Sequence, residues 1–268
     1  MSISINDMQH VLECAKRLLA TTAIIFAATI TNAQNIEYSK ADSTKVVSLL
    51  KEATTLRGNT HPMIYFGRKF IGYPYVAHTL ERGDKEHLIV NLRQFDCTTF
   101  VETVTALTLC DQRNQRTFAD FCHNLATLRY RQGKISDYTS RLHYFTWWAT
   151  DNEQLGIIKD IAPQQEPWGA FTAVQRININ YMSNHASAYK HLLACPDYLP
   201  VIKKMEQDCN GKQYRYIPKD NLRWSADSSL GQVHSGDIVA MLTDKDGLDT
   251  RHIGIVIWQN GSLHLMHA

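Results

Sequence analysis

The spacing of apolar side chains changes several times along the chain, and each change predicts an element. Asp42 or Ser43 can cap a short helix through "DSTKVVSLLKEATTLRG", with Gly58 closing it. "HLIVNL", residues 87–92, has the composition of a short strand or extended segment. Phe100, Val101, Val104, Leu107 and Cys110 then recur at helical period, and beyond "DQRNQR" so do Phe118, Phe121, Cys122, Leu125 and Leu128. These predict two amphipathic helices. From about 131 to 230 no period holds through "DYTSRLHYFTWWATDN", "APQQEPWG", "NINYMSNHASAY" and "YRYIPKDN", and there is neither a repeat nor a low-complexity run. "GDIVAML" (236–242) and "HIGIVIW" (252–258) alternate or run apolar as strands, and Asn260-Gly261 signals a hairpin turn before "SLHLMHA". The chain reads as α+β and ends in antiparallel sheet.

The hairpin can be taken further. A two-residue turn at Asn260-Gly261 pairs Gln259 with Ser262, Ile257 with His264 and Gly254 with His267. Strand side chains alternate with period 2, so His252 shares the face of Gly254 and becomes a diagonal neighbour of His267. His264 points to the other face. A bulge or a longer loop would reverse that assignment.

Candidate chemistry begins at "QFDCTTFVETVTAL", residues 94–107, where a cysteine stands at or before the first turn of a predicted helix. A helix N-terminus carries partial positive charge, which favours the thiolate. Asp96 can cap that helix, and Thr99 with Glu102 fits a capping box. The alternative for Cys97 is a small core hydrophobe, a common use of free cysteine. A nucleophilic cysteine also needs a base, usually histidine, oriented by a third polar group. Eleven histidines follow residue 33. The hairpin register selects His252 as candidate base and His267 as its orienting partner.

Composition narrows the setting. With 268 residues and 44% hydrophobic content the chain can build a substantial core, and its net charge of +2 gives no bulk attraction for nucleic acid. Lys16 and Arg17 precede "LLATTAIIFAATI" and then "TNAQ", the pattern of a signal peptide over residues 1–33 with cleavage after Ala33. The apolar stretch is shorter than the ~20 residues that span a bilayer, and Cys14 lies upstream of it, where it cannot serve as a lipid anchor at the cut. The alternative is a membrane-anchored or buried helix. Cleavage predicts a soluble product, periplasmic or secreted, with no membrane span. Cys97, Cys110, Cys122, Cys195 and Cys209 remain, an odd number, so at least one thiol is free; no CxxC pair suggests a zinc ribbon or redox site.

"FDCTTFVETV", "SGDIVAM" and "HIGIVIWQNGSLHLMHA" resemble, in that order, the three signature blocks of NlpC-type papain-like cysteine peptidases and amidases of bacterial cell walls. The resemblance implies a papain-like core, with a helix-borne cysteine packed on an antiparallel sheet. It places the nucleophile at Cys97, the base at His252 and the third polar residue at His267, with the Cys97 backbone amide and a nearby side chain as oxyanion hole. "NLRQFDCTTFVETV", "YTSRLHYFTWW" and "GLDTRHIGIVI" further resemble a subgroup regarded as N-acetylmuramoyl-L-alanine amidases, which act on peptidoglycan fragments between the muramic acid lactyl group and L-alanine. The implied organisation is one amidase domain over 34–268. Cys97 and His252 stand 155 positions apart, far more than in a minimal domain, so 113–230 is expected as a large, mostly helical or irregular insertion shaping the substrate groove. Relatives continue with further sheet where this chain stops at Ala268, so a C-terminal truncation is expected. No cofactor or metal is required, and a monomer acting on muropeptides is expected.

Within the insertion, Arg141 could pair with peptide carboxylates, and Tyr144 could stack on or hydrogen-bond to sugar and peptide. His143 stands with them as a substrate-binding candidate, as does Asp96 beside the nucleophile. The structural alternative is a packed helix with Trp147 and Trp148 in the core, and a cap for Asp96. Three other readings compete. A zinc hydrolase could use His252, His264, His267 and Asp249, although the register turns His264 away. A wall-binding module would leave Cys97 inert. An endopeptidase cutting the stem peptide after D-glutamate would use the same Cys-His chemistry.

Overall fold

A computed structural model of the protein describes residues 36–55, 60–163, 165–222, 230 and 232–268. The expected leader with its cleavage point at Ala33, and Gly58, lie outside the described residues. Strand β1 (Ile36–Glu37) leads into helix α1 (Lys40–Ala53), whose cap is Ser39 rather than Asp42 or Ser43. The Ser39 hydroxyl accepts from Asp42 N, while Asp42 Oδ2 accepts from Ser39 N at 2.9 Å. Asp42 can only close that reciprocal box from the third helical position. Its other oxygen accepts from Leu92 N at 2.9 Å and ties the helix to the chain entering the cysteine motif.

Helix α2 (Pro62–Arg68) follows, then β2 (Leu88–Ile89), which pairs in parallel with β1 inside the stretch expected to be extended. Helix α3 (Cys97–Gln112) is the centre of the molecule. The apolar period predicted an amphipathic helix, but every residue from Thr99 to Cys110 is buried. Several of its polar positions are bonded: Thr105 Oγ1 donates to Val101 O at 2.7 Å and Glu102 pairs with Arg129, while Thr108 Oγ1 is buried with no hydrogen-bond partner among the described residues. Helix α4 (Phe118–Arg129), capped by Thr117 with Asp120, packs along α3 and is the amphipathic member of the pair.

Beyond α4 come α5 (Phe145–Gln154), β3 (Ala173–Arg176), α6 (Tyr198–Cys209) and β4 (Gln213–Tyr216), with short helical turns between them. Strands β3 and β4 form an antiparallel pair within the segment expected to be helical or irregular. The chain closes with β5 (Ile238–Leu242), β6 (Thr250–Gln259) and β7 (Ser262–Met266), an antiparallel sheet in sequential order that packs on α3. Asn260 (φ 52°) and Gly261 (φ 75°) both occupy the left-handed region, as a two-residue primed turn requires. Side chains from Val46 to Met266 join in one apolar cluster, giving a mixed α+β fold. No helix among the described residues is long and apolar enough to cross a membrane.

Candidate active site

Asp96 is the N-cap of α3, and its Oδ1 accepts from Thr99 N and from Thr99 Oγ1, each at 2.8 Å. Thr99 Oγ1 in turn accepts from Asp96 N at 2.9 Å. The box therefore runs from Asp96 to Thr99, not from Thr99 to Glu102, and Cys97 is the first helical residue. Its thiol is half-buried, 4.0 Å from Thr98 Oγ1, and opens into a cleft of about 440 Å³. Unmatched backbone N–H groups and the positive end of α3 stand at that point.

The opposite wall is β6. Gln259 faces Ser262, Ile257 faces His264 and Ile255 faces Met266, the register that a two-residue turn dictates. Gly254 allows β7 to lie this close: a Cβ there would meet Leu265 Cδ1 at 2.7 Å and Met266 O at 2.9 Å. The rings of His252 and His267 consequently meet edge to face, with centroids 4.8 Å apart, while His264 belongs to the other face of the hairpin. His267 Nδ1 donates to Ala268 O at 3.1 Å. His252 lines the cleft with Cys97. Burial pushes its pKa below the ordinary histidine value, and positive charge on His267 and Arg251 adds to the shift. Its Nε2 is buried with no hydrogen-bond partner among the described residues, a state that native proteins rarely keep without a use.

The expected substrate-binding residues separate. Arg141 is buried and does not line the cleft: Nε and Nη2 donate to Glu86 at 3.0 and 2.7 Å, and Nη1 donates to Glu81 at 2.6 Å. With its guanidinium engaged by two carboxylates, Arg141 holds the cleft wall and does not reach for a ligand. Tyr144 lines the cleft, but its hydroxyl donates to Glu206 at 2.7 Å and accepts from Met182 N at 2.9 Å. Trp147 and Trp148 are core residues. His143 lines the cleft, and its Nε2 donates to Tyr138 O at 2.8 Å; burial, with the Arg141 charge second, lowers its pKa to about 3 and keeps it neutral. Asp96 caps α3 and is not part of the cleft wall.

One residue was not legible. Tyr75 forms a parallel bridge with Phe95, flanked by Val76 N donating to Phe95 O at 2.9 Å. That bridge brings Tyr75 level with the residue two positions before Cys97. Burial raises the Tyr75 pKa, and the charges of Cys97 and Asp96 raise it further. No periodicity or motif around "GYPYVAH" announced the contact.

Residues 65–268 match the pattern of the AmiA-like family, described as N-acetylmuramoyl-L-alanine amidase-like. A crystal structure of an N-acetylmuramoyl-L-alanine amidase from Bacteroides uniformis ATCC 8492 is 39% identical over 77% of this chain and 83% of that one, with a TM-score of 0.70. A Bacteroides fragilis protein provisionally called a xylanase is 40% identical over 76% of this chain and 85% of its own, with a TM-score of 0.69. A Legionella pneumophila protein, 22% identical over 85% of this chain and 84% of its own with a TM-score of 0.63, shares the fold. The search of curated proteins gave no match. The xylanase name finds little support in the cleft, since glycosidases need two carboxyl groups flanking the sugar bond. Here Glu81 is held by Arg141, and Asp249 accepts from Thr146 N at 2.7 Å and from the Thr146 hydroxyl.

Proposed function

The chain belongs to the N-acetylmuramoyl-L-alanine amidase-like family, and on that premise we propose that it is a cysteine amidase of peptidoglycan fragments with an NlpC-type papain-like core. It cuts the amide between the lactyl group of muramic acid and L-alanine. The observation that carries this reading is the opening of Cys97, at the first position of α3, and His252, neutral and unpaired at Nε2, into one cleft. Export through the leader at 1–33, and action in the periplasm or outside the cell, belong to the same proposal.

In this mechanism His252 takes the Cys97 proton as sulfur attacks the lactyl carbonyl. The backbone N–H of Cys97 and the hydroxyl of Tyr75 receive the oxyanion. The imidazolium then protonates the departing L-alanine nitrogen, leaving a thioester on Cys97. His252 deprotonates a water that attacks the thioester, which releases the muramic acid carboxylate and restores the thiol. His267 holds the imidazole through the edge contact. Mass spectrometry of a muramyl-tripeptide digest tests the bond: free tripeptide with intact sugar is expected. Cleavage after D-glutamate would make the protein an endopeptidase, and an intact substrate would leave a binding module.

Two further results are expected. Replacing Tyr75 by Phe removes one oxyanion donor and lowers kcat by about 10²-fold with KM little changed; a wild-type kcat would exclude Tyr75 from the reaction. Because the His252 pKa lies below its ordinary value, the base form persists into weakly acidic solution. The acid limb of kcat/KM therefore falls below pH ~6.5. In His267→Ala one depressing charge is gone, so the limb moves up and the rate falls partially. A pH profile with the limb unmoved would assign His267 no electrostatic part.

A further inference from the structure

The ladder between β5 and β6 breaks its step beside the catalytic histidine. Met241 faces His252 and Leu242 faces Thr250, so Arg251 is an extra residue with no partner across the sheet. In a regular strand Arg251 would point away from the face that carries His252. A bulge inserts one residue, interrupts that alternation and re-aims a side chain, and bulges of this kind gather next to active sites. Arg251 accordingly lines the same cleft as Cys97 and His252. Its charge is close enough to His252 to help lower the imidazole pKa.

The other permanently charged side chains of the cleft wall already have partners. Glu81 is bonded by Arg141, Asp249 by Thr146, and Lys190 donates to Gly83 O at 3.0 Å with Asp84 nearby. Arg251 is exposed and makes no hydrogen bond or ion pair with any described residue. A planar fork of donors on a residue of the cleft wall, with no hydrogen-bond partner among the described residues, matches a carboxylate, which it can grip through two parallel bonds. Extended peptide advances about 3.3 Å per residue, so a cation adjacent to the base reaches a carboxylate on the first or second residue beyond the scissile amide.

We propose that Arg251 is a specificity-determining residue that binds a free carboxylate on the leaving peptide, so that the enzyme selects acidic stem peptides over their amidated forms. This deepens the amidase reading and rests on it. The bulge is the device that brings the guanidinium to the cleft, and His252 keeps its own place in the ladder opposite Met241.

The test compares a muramyl-tripeptide carrying a free α-carboxylate on its second residue with the same compound as the carboxamide, at a pH where His252 is neutral. Wild-type protein is expected to favour the carboxylate by ~10- to 100-fold in kcat/KM, chiefly through KM. Arg251→Met brings the ratio close to one, and Arg251→Lys restores part of it, since a point charge replaces the fork. An unchanged ratio in Arg251→Met, or no preference in the wild type, overturns the proposal. Calorimetric binding of both compounds to Cys97→Ala, with and without Arg251→Met, separates this from failure of the amidase reading. A carboxylate preference that disappears with Arg251 supports the proposal even where no bond is cut, and equal binding of the two compounds to Cys97→Ala refutes it.

Discussion

Cys97→Ala is expected to lower kcat/KM by on the order of 10⁴-fold or more while the protein stays folded. The two halves of that expectation have separate physical grounds. Removing the sulfur removes the atom that forms the thioester, and the Thr98 hydroxyl, 4.0 Å away, is no substitute for a thiolate. The fold survives because the cap of α3 is made by Asp96 and Thr99 and involves only their atoms. Alanine is also the best helix former, and the thiol is only half-buried, so little cavity is left. A melting temperature close to wild type with residual hydrolysis near background is the anticipated pair of results. Retained turnover in Cys97→Ala would remove cysteine catalysis altogether.

The largest stability effect is expected at Arg129. Its Nε donates to Glu102 Oε2 and its Nη1 to Ile89 O, both at 2.7 Å, with each charged side chain only 3% exposed. Burial pushes the Glu102 carboxyl pKa up, and the Arg129 charge opposes that. Arg129→Met deletes the partner and strands the acid in the second turn of α3, beneath the nucleophile. Breaking such a pair from one side costs about 3–5 kcal/mol. Urea unfolding should show a lower midpoint of that magnitude with an unchanged slope. Converting Glu102 to Leu as well should recover much of the loss, because two apolar groups replace two charges. A single-variant loss under about 1 kcal/mol would mean that the pair is not the clamp between α3, α4 and β2 that its bonds describe.

What the sequence disclosed follows the range of the interaction. Apolar period and turn chemistry are local, so α3, α4, the strands β5 and β6 and the Asn260-Gly261 turn were legible, and the arithmetic of the turn was enough to set His252 beside His267. Cap geometry was legible to within a choice: Asp96 was one of two candidates, and Ser39 was missed because Asp42 looks like a cap while acting at the third position. Long-range pairing left no local trace. Arg141 was read as a ligand-binding arginine because Glu81 and Glu86, 60 and 55 positions upstream, carry no pattern that points to it. The full burial of α3 was hidden because its threonines read as polar while their buried hydroxyls permit a packed face. The displacement of Arg251 into the cleft depends on one extra residue in a ladder, a difference that strand alternation alone assigns to the wrong face.

Cys110 and Cys122 are buried, with pKa values pushed up to about 11 and about 12 by burial, and Cys209 is buried and raised for the same reason. Only Cys97 and Cys195 are partly accessible among the described residues. The decisive measurement is therefore intact-protein and peptide mass analysis of enzyme quenched in acid during turnover of a muramyl-tripeptide. The mechanism predicts a mass increase equal to the muramic acid acyl group, held as a thioester on the peptide containing Cys97 and released by hydroxylamine. Product formation with no such adduct in a rapid quench that resolves the first turnover, or an adduct confined to Cys195, would contradict Cys97 as the nucleophile.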